Sequence, residues 1–115
     1  MDRDIESTVT SLDGFSEMSR ENSAVLVYLS TPDCNVCKVL KPKVKSMLAD
    51  DFPEIKFVYV DCEAHPDISA QCGVFTVPTL LVYFNGRETI RKSRHIGIEE
   101  LRSAIQRPYQ MLFED

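Results

Sequence analysis

The chain has 115 residues, of which 43% are hydrophobic, and its formal net charge is −5. This length and composition predict one compact domain, residues 1–115, and exclude a disordered chain. The acidic balance disfavours nucleic acid as a partner, and no run of about 20 apolar residues is available to span a membrane. The start, Met1-Asp-Arg, lacks the basic segment and apolar run of a secretory signal, so we expect a cytoplasmic protein.

Three elements are predicted at the start of the chain: a short edge strand, a helix and a buried strand. Residues 6–10 have weak strand character, and a helix is expected from its cap Ser11 to Asn22. The continuous apolar run from Ala24 to Leu29 is rich in β-branched and aromatic side chains. Such a run is typical of a central strand that is covered on both faces.

A C-x-x-C pair, Cys34 and Cys37, stands where this strand gives way to a second helix. Apolar residues recur at three- and four-residue steps from Cys34 to Leu48, which predicts an amphipathic helix. Pro42 lies inside that helix and should kink it without ending it. We therefore expect Cys34 at the helix N-terminus and Cys37 in its first turn.

The next part of the chain predicts two more buried strands and a hairpin. The strands are expected at residues 55–60 and 79–84, with a short helix over residues 64–72 between them. Asn85-Gly86 is a strong hairpin signal, so residues 88–93 should return antiparallel. The sheet is therefore expected to be mixed.

A closing helix and an apolar tail are predicted at the end of the chain. The helix is expected over residues 98–106, and Pro108 should separate it from the tail, residues 109–115. The tail could dock on the domain, pair two copies or bind a partner. Docking on the domain is the simplest expectation.

The placement of the cysteine pair points to thiol–disulfide exchange. Free backbone N–H groups and the positive end of the helix dipole stabilise a thiolate, which makes Cys34 the candidate nucleophile. The spacing brings Cys37 within bridging reach, so it can resolve a mixed disulfide. A zinc half-site and a chance pair of small hydrophobic residues are the alternatives. A second C-x-x-C or His pair is absent from the sequence, so we expect no metal.

In order and spacing, several segments of the chain resemble the thioredoxin family. They are the strand before the pair, the pair with Lys38, Pro42, residues 58–61, Val77-Pro78-Thr79 with the strand after it, Asn85-Gly86 and Gly97. The resemblance implies a thioredoxin-like α/β fold, a single domain with a central mixed β-sheet flanked by helices. It also implies a protein disulfide oxidoreductase that binds no cofactor and uses the redox-active disulfide Cys34–Cys37.

The resemblance further implies a substrate site and partners. Pro78 should be cis and should lie against the cysteine pair, and Val77 should offer its backbone N–H and C=O groups to an extended substrate segment. The substrates would be protein disulfides. The electron donor in this family is commonly a flavin-containing reductase that uses NADPH.

Three residues around the pair depart from the family pattern and are expected to tune its chemistry. Asp33 stands where thioredoxin usually has tryptophan, and its charge opposes thiolate formation at Cys34. Asn35 and Val36 stand where the family has Gly-Pro, which changes the stiffness of the helix start and the relative stability of dithiol and disulfide.

Two buried positions also depart from the pattern. The family's buried acid corresponds to Tyr28, where we expect packing, and its lysine partner falls near Phe57. Without that acid, Cys37 must lose its proton to water or another group. A second hypothesis is therefore an interaction or redox-sensing module with little or no turnover. An oxidase-like or isomerase-like variant is a third, which a cytoplasmic location disfavours.

Cys62 and Cys72 stand outside the pair and allow three interpretations. They could be small hydrophobic core residues, a second regulatory disulfide, or thiols that crosslink a partner. Burial as small hydrophobic residues is the default expectation.

Overall fold

Five strands and four helices form residues 7–113, the part of the chain that the computed structural model describes. In chain order they are β1 (Ser7–Thr8), α1 (Leu12–Glu21), β2 (Ala24–Ser30), α2 (Asn35–Asp51), β3 (Lys56–Asp61), α3 (Pro66–Gln71), β4 (Thr79–Phe84), β5 (Arg87–Ser93) and α4 (Ile98–Phe113). Residue 6 of the predicted first strand and residues 114–115 of the predicted tail lie outside the described residues.

The strands form one mixed sheet in the order β1-β3-β2-β4-β5. β1, β3 and β2 are parallel, whereas β4 runs antiparallel to β2 and β5 antiparallel to β4. The β4–β5 hairpin turns at Asn85 and Gly86, which have positive φ angles of 55° and 78°. A tight hairpin needs such angles, and Asn-Gly adopts them at little cost. The predicted mixed sheet and hairpin are confirmed.

The sheet separates two hydrophobic cores, because successive side chains of a strand point to opposite faces. All seven residues of β2 are buried. Leu26 and Tyr28 pack in the core under α2 and α4, whereas Val27 and Leu29 pack in the core under α1 and α3. Tyr28 therefore faces the helix that begins at the cysteine pair.

The positions of α1 and α2 follow the sequence prediction, and the kink at Pro42 stays a prediction. The backbone N–H of Gly14 donates to the Ser11 hydroxyl at 3.0 Å, which confirms Ser11 as the cap of α1. Pro42 lies inside α2, and the helix continues to Asp51 because Val44 and Leu48 keep its apolar face buried. Among the described residues, no helix has both the length and the apolar character needed to cross a membrane.

The helix α4 differs from the prediction, because it continues through Pro108 to Phe113. Proline removes one backbone donor, a cost that favourable packing can offset. The ring of Tyr109 is buried 5.0 Å from that of Phe52 and 4.8 Å from that of Phe113. Its hydroxyl accepts the backbone N–H of Glu54 at 3.2 Å. These contacts hold residues 109–113 on the domain as the last turns of α4.

Candidate active site

The cysteine pair lies at the N-terminus of α2, just beyond the end of the central strand β2. Cys34 is the N-cap of the helix and Cys37 lies in its first turn, as the sequence predicts. The two sulfurs form a disulfide, with the Cα atoms 5.2 Å apart. The i, i+3 spacing therefore allows the bridge without disturbing the helix.

The two cysteines have different surroundings. Cys34 is half-buried, whereas Cys37 is only 2% exposed. The backbone N–H of Cys37 points at the Cys34 sulfur at 3.1 Å, so a donor is already in place for a thiolate at Cys34 after reduction. Access and electrostatics therefore favour Cys34 as the sulfur that meets a substrate.

Tyr28 lies on β2 beneath this first turn. It is fully buried, packs on Phe57 with ring centroids 5.7 Å apart, and donates its hydroxyl to the Cys37 carbonyl at 2.7 Å. Burial, with a smaller contribution from Tyr59, raises the pKa of Tyr28 well above its usual range. A phenol in this state stays protonated near neutral pH. Tyr28 therefore donates to the helix start and cannot take the proton of Cys37.

The Val77–Pro78 peptide bond is cis, which confirms the expected isomer. Pro78 directly precedes β4, whose first residue Thr79 pairs with Leu29 near the end of β2, so the cis bond lies at the same end of the sheet as the cysteine pair. Val77 and Cys34 both pack against the core under α2 and α4. Direct contact between Pro78 and the pair stays a prediction.

The backbone of Val77 is open to a partner. Its N–H and C=O make no hydrogen bond to any residue between 7 and 113. Unpaired groups of this kind, beside the first residue of a strand, can pair with an extended segment from another chain.

The three predicted tuning residues surround Cys34 at the surface. Asp33 is exposed in the loop before α2, and Asn35 and Val36 are exposed in its first turn. All three are therefore placed to face a partner as well as the pair. Their effect on the chemistry of the pair stays a prediction.

Large apolar side chains are exposed on α2 after the pair and in the loop before Val77, and the sequence analysis singled out only Val36 among them. Phe75 is 88% exposed in the loop before Val77, and on α2 Val36 is 61% exposed and Val39 59%. Phe75 could have been found from the sequence, because it is a large aromatic residue in a predicted loop, where such a side chain is often exposed for contact. Residues 94–97 face α2 across a groove, and of these only Gly97 belongs to the family resemblance, so nothing in the local sequence of residues 94–96 points to the site.

The other two cysteines are free and half-buried, and they pack against the core under α1 and α3. Burial raises the pKa of both thiols, and for Cys62 the neighbouring charge of Asp61 adds to the rise. Such thiols are poor nucleophiles at neutral pH, which fits a packing role. In the described part of the chain, no three His, Cys, Asp or Glu side chains are grouped so that they could hold a metal ion.

Comparisons with known proteins agree with this geometry. The profile of the thioredoxin family matches residues 6–107, which include the cysteine pair and the cis proline. The thioredoxin-like protein YdfQ of Bacillus subtilis (strain 168) is 30% identical over 101 residues, covering 88% of this chain and 89% of that protein. Thioredoxin of Chlamydia muridarum is 30% identical over 98 residues, covering 85% and 91% respectively. The crystal structure of oxidised mitochondrial thioredoxin 3 from Saccharomyces cerevisiae has the same fold, with a TM-score of 0.77, 22% identity and coverage of 87% and 92%.

Proposed function

Because the chain belongs to the thioredoxin family, we propose that it reduces protein disulfides by thiol–disulfide exchange through Cys34 and Cys37. The observation that carries the proposal is the asymmetry of the pair. Cys34 is the accessible cysteine and lies at the helix N-terminus with a backbone donor aimed at its sulfur, whereas Cys37 is buried one turn along. An accessible nucleophile beside a sheltered second thiol suits a two-step exchange.

The first step joins protein and substrate. The Cys34 thiolate of the reduced protein attacks one sulfur of the substrate disulfide and forms a new S–S bond. The substrate S–S bond breaks, and its other sulfur leaves as a thiolate that takes up a proton.

The second step releases the substrate. Cys37 loses its proton and attacks the Cys34 sulfur, and the remaining substrate sulfur leaves as a thiolate that is protonated in turn. Two electrons and two protons pass to the substrate, and the Cys34–Cys37 disulfide remains. Since Tyr28 stays protonated, water or another group receives the Cys37 proton.

The substrate is expected to lie beside the cis proline. In this proposal an extended segment pairs with the free backbone groups of Val77, and Phe75 and Val36 contribute apolar contact area. An electron donor must then reduce the Cys34–Cys37 disulfide. A flavin-containing reductase that uses NADPH would supply the two electrons, in a cytoplasmic setting and with no cofactor bound to this chain.

A trapping experiment tests the proposal. Wild type, Cys34→Ser and Cys37→Ser are each incubated with a protein disulfide and a reductant, with Cys72→Ala as a control outside the pair. We expect turnover by wild type and the control only. Cys37→Ser should accumulate a mixed disulfide through Cys34, because its second step is blocked. Absence of turnover in wild type with every reductant, together with no trapped adduct, would refute the catalytic proposal.

A second candidate is an interaction or redox-sensing module on the same fold. The neutral Tyr28 beneath the pair favours it, since no acid is available at that position to speed the second step. For such a module, the wild type would bind a partner at the Val77 and Phe75 surface and would show no turnover in the trapping experiment.

A further inference from the structure

A groove of about 670 Å³ lies beside the cysteine pair, between the first turns of α2 and residues 94–97, which connect β5 to α4. We call it the α2 groove. Its lining includes Val36, Val39, Lys43, Arg94, His95 and Ile96. The α2 groove thus adjoins the exposed residues that directly follow Cys34 on α2.

The floor of the α2 groove is apolar and uncovered. Val36 and Val39 are both more than half exposed, on the side of α2 that faces away from the core. Ile96 completes the apolar part from the opposite wall. Exposed apolar side chains that are grouped into one patch are typical of surfaces that contact another molecule.

The rim of the α2 groove is basic, although the whole chain carries a net charge of −5. Lys43 and Arg94 line it, and none of its lining residues in the described range 7–113 carries a carboxylate. Neither cation forms an ion pair with any residue of the described range 7–113. The nearby carboxylates of Glu99 and Glu100 contact other cations.

Glu99 and Glu100 lie in the first turn of α4, shortly after the groove wall. The Glu99 carboxylate accepts from Arg102, and the Glu100 carboxylate lies 3.5 Å from the Lys92 ammonium. Arg102 also donates to Asp51, the last residue of α2, at 2.7 Å. Neither carboxylate forms an ion pair with Lys43 or Arg94, so within residues 7–113 both groove cations are available to a partner.

The wall is anchored to the predicted substrate site. The backbone N–H of Arg94 donates to the carbonyl of Pro78 at 2.9 Å, and Arg94 has a left-handed φ of 64°. The cis proline loop and the groove wall are thus joined by a direct hydrogen bond. A chain that pairs with Val77 lies next to a preformed basic and apolar surface.

We propose that the α2 groove binds the substrate segment next to the reactive cysteine and selects segments that combine an apolar side chain with carboxylates. The proposal rests on the thiol–disulfide exchange proposed above and names the substrate class of that site. Charge complementarity identifies the occupant: two cations that form no ion pair within residues 7–113 flank an apolar floor. Because both cations are exposed, the preference is modest and is screened by salt.

Two peptides test this selectivity. Each carries one cysteine flanked by leucine and by either two glutamates or two glutamines, and each is joined as a mixed disulfide to 2-thiopyridine. Attack by the reduced protein releases 2-thiopyridone, whose absorbance gives the second-order rate constant. For wild type at low salt, we expect the glutamate peptide to react about fivefold faster, and the ratio to approach one in about 1 M salt.

Charge-reversal variants locate the effect. In Lys43→Glu/Arg94→Glu the ratio should fall to one or below, and Lys43→Glu alone, on an exposed helix position, should lower it part of the way. Arg87→Glu, at the start of β5, makes the same charge change as Lys43→Glu at a residue that does not line the groove, and should keep the wild-type ratio. Because each ratio is internal to one protein, it does not depend on the overall rate of the variant.

Two results would overturn the proposal in distinguishable ways. If wild type reacts with both peptides at equal rates at low salt, the α2 groove does not select carboxylates, while the proposed exchange reaction stands. If wild type reacts with neither peptide faster than Cys34→Ser does, the exchange reaction fails and the selectivity fails with it. An equal loss of the preference in Arg87→Glu would place the effect in the net charge and not in the groove.

Discussion

Tyr28 is the buried residue that contacts the cysteine pair from below, and its chemistry differs from that of an acidic side chain. Its position on β2 places it beneath the first turn of α2, and its hydroxyl finds the Cys37 carbonyl at 2.7 Å. A carboxylate at this position could accept a proton, whereas a buried phenol keeps its own. The side chain therefore holds the helix start in place, and in the proposed exchange water or another group would receive the proton of Cys37.

Replacing Tyr28 with Phe removes this hydrogen bond and keeps the ring packed on Phe57. We expect Tyr28→Phe to lower the free energy of unfolding in urea by about 1 kcal/mol, the usual net value of such a bond. The pH dependence of the exchange rate should keep its shape, because the lost group does not titrate in that range. Tyr59→Phe, on the adjacent strand, is the matched control and should change stability less. A pH profile altered by Tyr28→Phe would show that the hydroxyl takes part in proton transfer.

Among the elements, α2 and α4 both contain proline and both continue beyond it. In α2 the apolar residues after Pro42 keep the helix on the sheet. In α4 the continuation depends on Tyr109, which packs between Phe52 and Phe113. The family match ends at residue 107, so these last turns of α4 lie beyond it. Tertiary contact, and not local propensity, maintains the helix there.

The anchoring role of Tyr109 can be tested by truncating its side chain. Tyr109→Ala should lower the free energy of unfolding by about 3 kcal/mol, because it removes a buried ring and the acceptor of the Glu54 N–H. Met111→Ala is the control on the same turn, where the side chain is 78% exposed, and should stay within about 0.5 kcal/mol of wild type. Equal stability of the two variants in urea denaturation would contradict the anchoring role.

At the scale of the whole molecule, four buried or half-buried titratable groups act on stability in the same direction. Burial raises the pKa of the thiols of Cys62 and Cys72 and of the hydroxyls of Tyr28 and Tyr83. The folded state therefore keeps these protons at a pH where the unfolded chain has begun to lose them. Above the ordinary thiol pKa of 9.0, the folded state binds more protons and the free energy of unfolding falls as the pH rises.

Urea denaturation at pH 8, 9 and 10 measures this fall. A Cys34→Ser/Cys37→Ser background with reductant keeps the remaining thiols from exchanging with the disulfide. We expect stability to decrease between pH 8 and 10, and to decrease less in the same background carrying Cys62→Ala/Cys72→Ala. Constant or rising stability over this interval would contradict the raised pKa values of the two thiols.

The sequence alone determined the order of the elements and the position of the cysteine pair. Hydrophobic periodicity and the Ser11 cap located α1, the apolar runs located β2, β3 and β4, and Asn85-Gly86 located the hairpin. The spacing of Cys34 and Cys37 placed a bridgeable pair at a helix start. These features depend on neighbours a few residues apart, so the local sequence contains the information that specifies them.

The tertiary structure decided which distant surfaces meet. The packing of β2 under α2 brings the Tyr28 hydroxyl to the Cys37 carbonyl. The contacts of Tyr109, including the one with Phe52, keep α4 helical beyond Pro108. The basic wall at residues 94–97 comes beside the cysteine pair because β5 ends next to the cis proline loop. Each of these contacts joins groups that are far apart in the chain, and its free energy depends on both of them. Local hydrophobic periodicity reports only on neighbouring residues, so it cannot predict which distant groups become partners.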